Sequence, residues 1–134
     1  MIIKAAYPEK SLIRLLDYDG KLYGLASGHW LKFEVRRVTA TNAVPHGMAY
    51  SFTLHAPGGE RLLGFDNAHS IPHPGSAFVA RPEAADHWHR DQGDEGRPYR
   101  FVDADRLVAD FFAAVEDILR QSGVPFEVQS EQTR

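Results

Sequence analysis

WLKFEVRRV, residues 30–38, alternates one for one: Leu31, Phe33 and Val35 fall on one side of an extended chain, Lys32, Glu34 and Arg36 on the other. Successive side chains of a strand point to opposite faces, so this pattern predicts a strand buried on one face only. The chain repeats the device. AYSFTLH (49–55) sets Tyr50, Phe52 and Leu54 against Ser51, Thr53 and His55. The turn residues Ala56-Pro57-Gly58-Gly59 follow, and RLLGFDN (61–67) reads as the returning strand. Upstream, SLIRLLDYDGKLYGL (11–25) holds two short apolar runs around Asp19-Gly20. That dipeptide predicts a hairpin turn, because glycine accepts positive φ without cost. TATNAVPHG (39–47) reads as a polar loop. Together these segments predict a mostly antiparallel sheet.

Downstream the period changes. Asp103 is placed to cap a helix, and Leu107, Val108, Phe111, Phe112, Val115, Ile118 and Leu119 recur at helical spacing. Gly123 supplies the stop. Such a helix lays a wide apolar stripe on the sheet, and its aromatic residues are core. RPYRF (97–101) predicts a short strand, whereas EVQSEQTR (127–134) has no apolar period and reads as a frayed end. The expected fold is therefore α+β: an antiparallel sheet of about five strands with one long C-terminal helix packed on it. Residues 1–124 form a single domain, with 125–134 a flexible tail.

Composition narrows the class. The chain has 134 residues, no cysteine and a net charge of −3. It therefore carries no disulfide framework or thiolate metal site. It also lacks the overall basic excess usual in proteins held on nucleic acid by phosphate contacts. No apolar run is long enough to cross a bilayer, and MIIKAAYPEK is too short an apolar stub for a secretion signal. The expectation is a cytoplasmic protein with no membrane partner.

Residues 68–96 carry no periodicity and are rich in proline and glycine, yet four of the seven histidines, His69, His73, His87 and His89, lie there. A structureless connection of that length in a small domain is uncommon and tends to serve function. Asp66 and Asn67 sit where a strand runs out into it. In DHWHR (86–90) an extended chain would point His87 and His89 to one side and Trp88 to the other. Such a cluster has three uses. Histidine nitrogens with an aspartate oxygen can hold a catalytic zinc, although no standard zinc motif is present. The same groups can cleave RNA without a metal, one imidazole taking the 2′-hydroxyl proton and another protonating the departing 5′-oxygen, while Arg90, Arg97 or Arg100 holds the phosphate. The third use is none, since surface histidines are often just solvated.

Taken in order, Tyr50-Ser51, Phe65-Asp66-Asn67-Ala68-His69, His87-Trp88-His89, Pro98-Tyr99-Arg100-Phe101 and Asp110-Phe111 resemble the TumE toxin family of bacterial toxin–antitoxin modules. The resemblance covers roughly residues 47–120, and more weakly the DG turn and the EVRRV strand. One departure stands out: SIPHPGSAFVARPEAA (70–85), which includes His73, separates the Asp-Asn motif from the histidine pair. The resemblance implies a toxin that arrests growth and is neutralised by a cognate antitoxin, typically a helix-turn-helix protein.

Residue chemistry and class analogy together give the expected site. His87 and His89 are the acid–base pair of a metal-independent ribonuclease, with His69 a third candidate. Asp66 orients an imidazole, Asn67 and Arg90 contact phosphate, and Tyr99 is a further donor. No cofactor is expected, and RNA is the expected substrate. The rivals are a toxin that acts only by binding a protein, and a zinc-dependent hydrolase.

Overall fold

The computed structural model describes residues 9–67, 86–90 and 96–134. In chain order the elements are α1 (Glu9–Leu16), β1 (Lys21–Leu25), β2 (Trp30–Arg37), β3 (Met48–His55), β4 (Arg61–Asp66), β5 (His87–His89), β6 (Arg97–Pro98), α2 (Ala104–Gln121) and β7 (Val128–Thr133). The fold is α+β. Among the described residues one sheet runs β6-β5-β4-β3-β2-β1-β7, and every neighbouring pair is antiparallel.

The sheet has seven strands rather than about five, for reasons that are physical. β5 and β6 are three and two residues long, too short for alternation to register. β7 is exposed throughout, so it carries no apolar signal; its backbone pairs with β1 from Lys21↔Thr133 to Leu25↔Val128. The expected tail is thus an edge strand. It is tied down further by Lys21 Nζ at 2.9 Å from Glu131 and Arg134 at 3.3 Å from Glu34.

A second correction concerns residues 11–25. The first apolar run is not a strand but α1, whose Leu12 and Leu15 are buried one helical turn apart. Asp19-Gly20 therefore joins a helix to β1 instead of closing a hairpin, with Gly20 at φ 81°. The Asp19 carboxylate accepts the Val35 N–H at 2.8 Å. The β1–β2 hairpin closes at residues 26–29 instead, where Gly28 takes φ 94°.

One face of the sheet is core. Leu31, Phe33, Phe52, Leu54 and Leu63 are fully buried beneath α2, whose Leu107, Phe111, Val115 and Leu119 form the facing stripe. Phe111 sits among Phe33, Phe52 and Phe65 at ring-centroid distances of 5.5, 5.5 and 5.6 Å. Asp103 caps α2 by accepting the Arg106 N–H at 2.7 Å, as its position predicts. α1 packs beside α2, with Arg14 paired to Asp105.

Among the described residues the opposite face carries no helix. Register places Glu34, Ser51, Asp66 and His87 in one row across β2 to β5, and Lys32, Thr53, Gly64 and His89 in the next. Among the described residues no helix is long and apolar enough to cross a membrane.

Candidate functional site

DHWHR splits across the two faces of the sheet. β5 pairs with β4 as Gly64↔His89, Phe65↔Trp88 and Asp66↔His87. Trp88 therefore lies on the helix side with Phe65, at 6.5 Å between ring centroids, and the Arg97 guanidinium covers its ring at 4.4 Å. His87 and His89 share the open face with Asp66, their rings 6.2 Å apart. His89 Nε2 lies 3.3 Å from Asp66 Oδ2. So Asp66, His87 and His89, separated by some twenty residues of sequence, are brought together by the β4–β5 ladder. His69, and the insertion with His73, lie outside the described residues.

His89 is also held from above. Gly96 has φ 102° and sits so close that a Cβ there would come 2.3 Å from His89 Cε1. Only glycine meets both demands. His89 retains 7% of its surface, while His87 is only half-buried. The more reachable imidazole of the pair is His87.

The remaining expected residues divide. Arg90 is exposed beside His89. Asn67 is fully buried: its Oδ1 accepts the Tyr50 N–H at 3.0 Å and its Nδ2 donates to Met48 O at 2.7 Å. Its amide is spent on the β3 backbone. The Tyr99 hydroxyl donates to Asp110 Oδ2 at 2.7 Å, and burial together with that carboxylate pushes the phenol well above its usual range. Tyr99 thus joins the residue 97–101 segment to α2. Arg61 did not stand out in the sequence. Its side chain lies along the open face over Gly64, the glycine between Thr53 and His89, with Cδ 3.4 Å from where a Cβ would stand.

A family model described as toxin TumE matches residues 18–119, a span that contains β1 to β6, the Asp66–His87–His89 face and most of α2. The chain belongs to the toxin TumE family. No curated protein and no solved structure matches it. α1 and β7, the elements that flank the strands of this TumE-family chain, lie wholly outside the matched span.

Beneath the open face the TumE-family fold carries a buried polar network that sequence reading missed. The Asp86 carboxylate accepts the Tyr50 hydroxyl at 2.5 Å and lies 3.1 Å from His46 Nε2. His46 Nδ1 accepts the Met48 N–H at 3.1 Å. With Nδ1 accepting, it is Nε2 that donates to Asp86. The Phe101 ring lies tilted against His46, 4.0 Å between centroids. Tyr50 retains 1% of its surface, His46 4% and Asp86 9%. Burial first, then the Asp86 charge, holds the Tyr50 phenol far above its ordinary range, so it stays a donor.

The missed residues left different traces. Asp86 shares strand parity with Trp88, which places it on the helix side. Tyr50 alternates with Phe52 and reads simply as core. His46 stands in a loop with no period at all. Among the described residues no group of three histidines or carboxylates is gathered as a metal site; His69 is not among them.

Proposed function

We propose that this TumE-family toxin is a metal-independent endoribonuclease whose reaction takes place on the open face of the sheet at Asp66, His87 and His89. The observation that carries the reading is the pairing of His89 Nε2 with Asp66 at 3.3 Å, with a second, half-buried imidazole on the same strand and face. In-line attack of a ribose 2′-hydroxyl on the neighbouring phosphate places nucleophile and leaving oxygen on opposite sides of phosphorus. Base and acid must therefore be two groups set apart, not one. Two imidazoles with centroids 6.2 Å apart can flank a phosphate in that way.

His87 and His89 exchange the protons, and Asp66 orients His89 and offsets the charge it gains. The negative charge growing on phosphorus needs a cation. Among the described residues, Arg61 over Gly64 and Arg90 beside His89 are candidates on or next to this face, and both can bind a phosphate through a planar fork. His69 remains a candidate third imidazole. Asn67 enters as a brace for β3 and Tyr99 as a brace between the 97–101 segment and α2.

A depression of about 380 Å³ lies over Glu34, Arg36, Ala49 and Ser51. Ser51 pairs with Asp66, so this depression continues the His87 row and offers room for a nucleotide next to the one cut. RNA is the substrate, the cytoplasm is the place of action, and a cognate antitoxin, of the helix-turn-helix kind that the family suggests, is the neutralising partner. The test is cleavage of a fluorescent single-stranded RNA by purified protein in EDTA. Cleavage that yields 2′,3′-cyclic phosphate ends supports the reading. Cleavage abolished by EDTA and restored by zinc supports the metal-dependent hydrolase, and absence of cleavage with growth arrest intact supports a binding-only toxin.

A further inference from the structure

β5 is three residues long, and a strand that short does not fix its own register through backbone pairing. A slip of one residue would turn His87 and His89 to the helix side and bring Trp88 and Asp86 to the open face. Something must hold β5 in phase. Three contacts converge on Asp86, the residue just before it. The Asp86 carboxylate takes hydrogen bonds from Tyr50 at 2.5 Å and His46 at 3.1 Å, and the Asp86 carbonyl accepts the Tyr99 N–H at 2.8 Å. Both side-chain partners are themselves fixed. Tyr50 lies in β3, whose backbone Asn67 clamps on either side at Met48 and Tyr50. His46 is held by the Met48 N–H and by the Phe101 ring.

We propose that Asp86, Tyr50 and His46 form a register lock, positioning residues that set the phase of the histidine strand and hence the placement of His87 and His89 against Asp66. The inference rests on the reading of His87 and His89 as the working pair for its functional meaning, but not for its geometry. A buried carboxylate with two donors is costly to leave half-satisfied, so the slipped register, which would pull Asp86 away from both, is strongly disfavoured. Asp86→Asn preserves an acceptor for both donors, whereas Asp86→Ala preserves neither.

The experiment compares full-length wild type, Asp86→Ala, Asp86→Asn and Tyr50→Phe by amide exchange and by NOEs between Phe65 and Trp88, alongside RNA cleavage. In Asp86→Ala the 87–89 amides should lose protection and the Phe65–Trp88 NOE should vanish, while the β2–β3 amides stay protected. Tyr50→Phe, which deletes one hydroxyl and leaves the ring, should lower 87–89 protection about tenfold, the worth of one hydrogen bond to a charged group. Asp86→Asn should restore most of it. Cleavage should follow the same order, with kcat per folded molecule, the folded fraction being read from the β2–β3 amides, down about 100-fold in Asp86→Ala and KM little changed, and with Asp86→Asn recovering most of the rate. Unchanged 87–89 protection in both Asp86→Ala and Tyr50→Phe overturns the lock. If Asp86→Ala does not fold, Tyr50→Phe decides alone. A wild type that cuts no RNA overturns the ribonuclease reading, while exchange and NOEs still decide the lock.

Discussion

Asp66 pairs in register with His87 and lies against His89 as well, Nε2 to Oδ2 at 3.3 Å. The contact is diagonal across β4 and β5, the reach expected for side chains offset by two residues on neighbouring antiparallel strands. It leaves His87 half-buried beside the pair. Asp66→Asn keeps the shape and removes the charge. RNA cleavage should fall at least about 100-fold with circular dichroism unaltered, and retention of the full rate would show that Asp66 does not serve the imidazole.

Gly96→Ala is a sharper probe of the same pair, because it leaves the Asp66 and His89 side chains chemically unchanged. A methyl placed 2.3 Å from His89 Cε1 at φ 102° must move the ring or the backbone. The expected outcome is a displaced His89 imidazole resonance in NMR and a lower kcat, with the α2 core unaffected. An unmoved resonance would mean that the 96–98 segment yields instead.

The core prediction concerns Phe111, which has no exposed surface and meets three phenylalanines from three strands. Phe111→Ala should cost about 3–5 kcal/mol in denaturant unfolding, the range for a large aromatic removed from a packed interior. A loss below about 1 kcal/mol would place α2 outside the cooperative core.

β7 should respond to acid before the rest of the sheet. The Lys21 ammonium, and then the Tyr23 hydroxyl, hold the Glu131 carboxyl below its ordinary 4.5. A carboxyl depressed in the folded state stabilises at pH above its unfolded value and stops doing so as pH falls through its folded one. Protection of the 128–133 amides should therefore weaken below about pH 4.5, relative to β3. Lys21→Ala should remove much of that pH dependence. Equal acid sensitivity in β3 and β7 would argue against these contacts holding the edge.

What was legible in the sequence was whatever buries apolar area with a period. The alternation of Leu31, Phe33 and Val35 marked β2, and the stripe from Leu107 to Leu119 marked α2, down to its Asp103 cap. β7 escaped because backbone pairing with β1 needs no apolar side chain. α1 escaped because Asp19-Gly20 mimics a hairpin turn when the preceding run is short. For the site, parity in DHWHR correctly placed His87 and His89 on one face and Trp88 on the other. The Asp86 network was hidden because His46, Tyr50 and Asp86 converge from three separate segments, and no local pattern encodes a buried hydrogen bond between them. The brace that Asn67 makes on β3 was hidden for the same reason. Only the fold shows that its amide is used by Met48 and Tyr50.

The central claim is that the histidines on the open face carry out metal-independent proton transfer on RNA. The most direct measurement is single-turnover cleavage of a defined RNA, in EDTA, by wild type, His87→Ala and His89→Ala, each confirmed folded. Wild type should cleave and each variant should lose about 10²- to 10⁴-fold, with growth arrest lost in parallel when they are expressed without antitoxin. Both variants cutting RNA at the wild-type rate would contradict that claim.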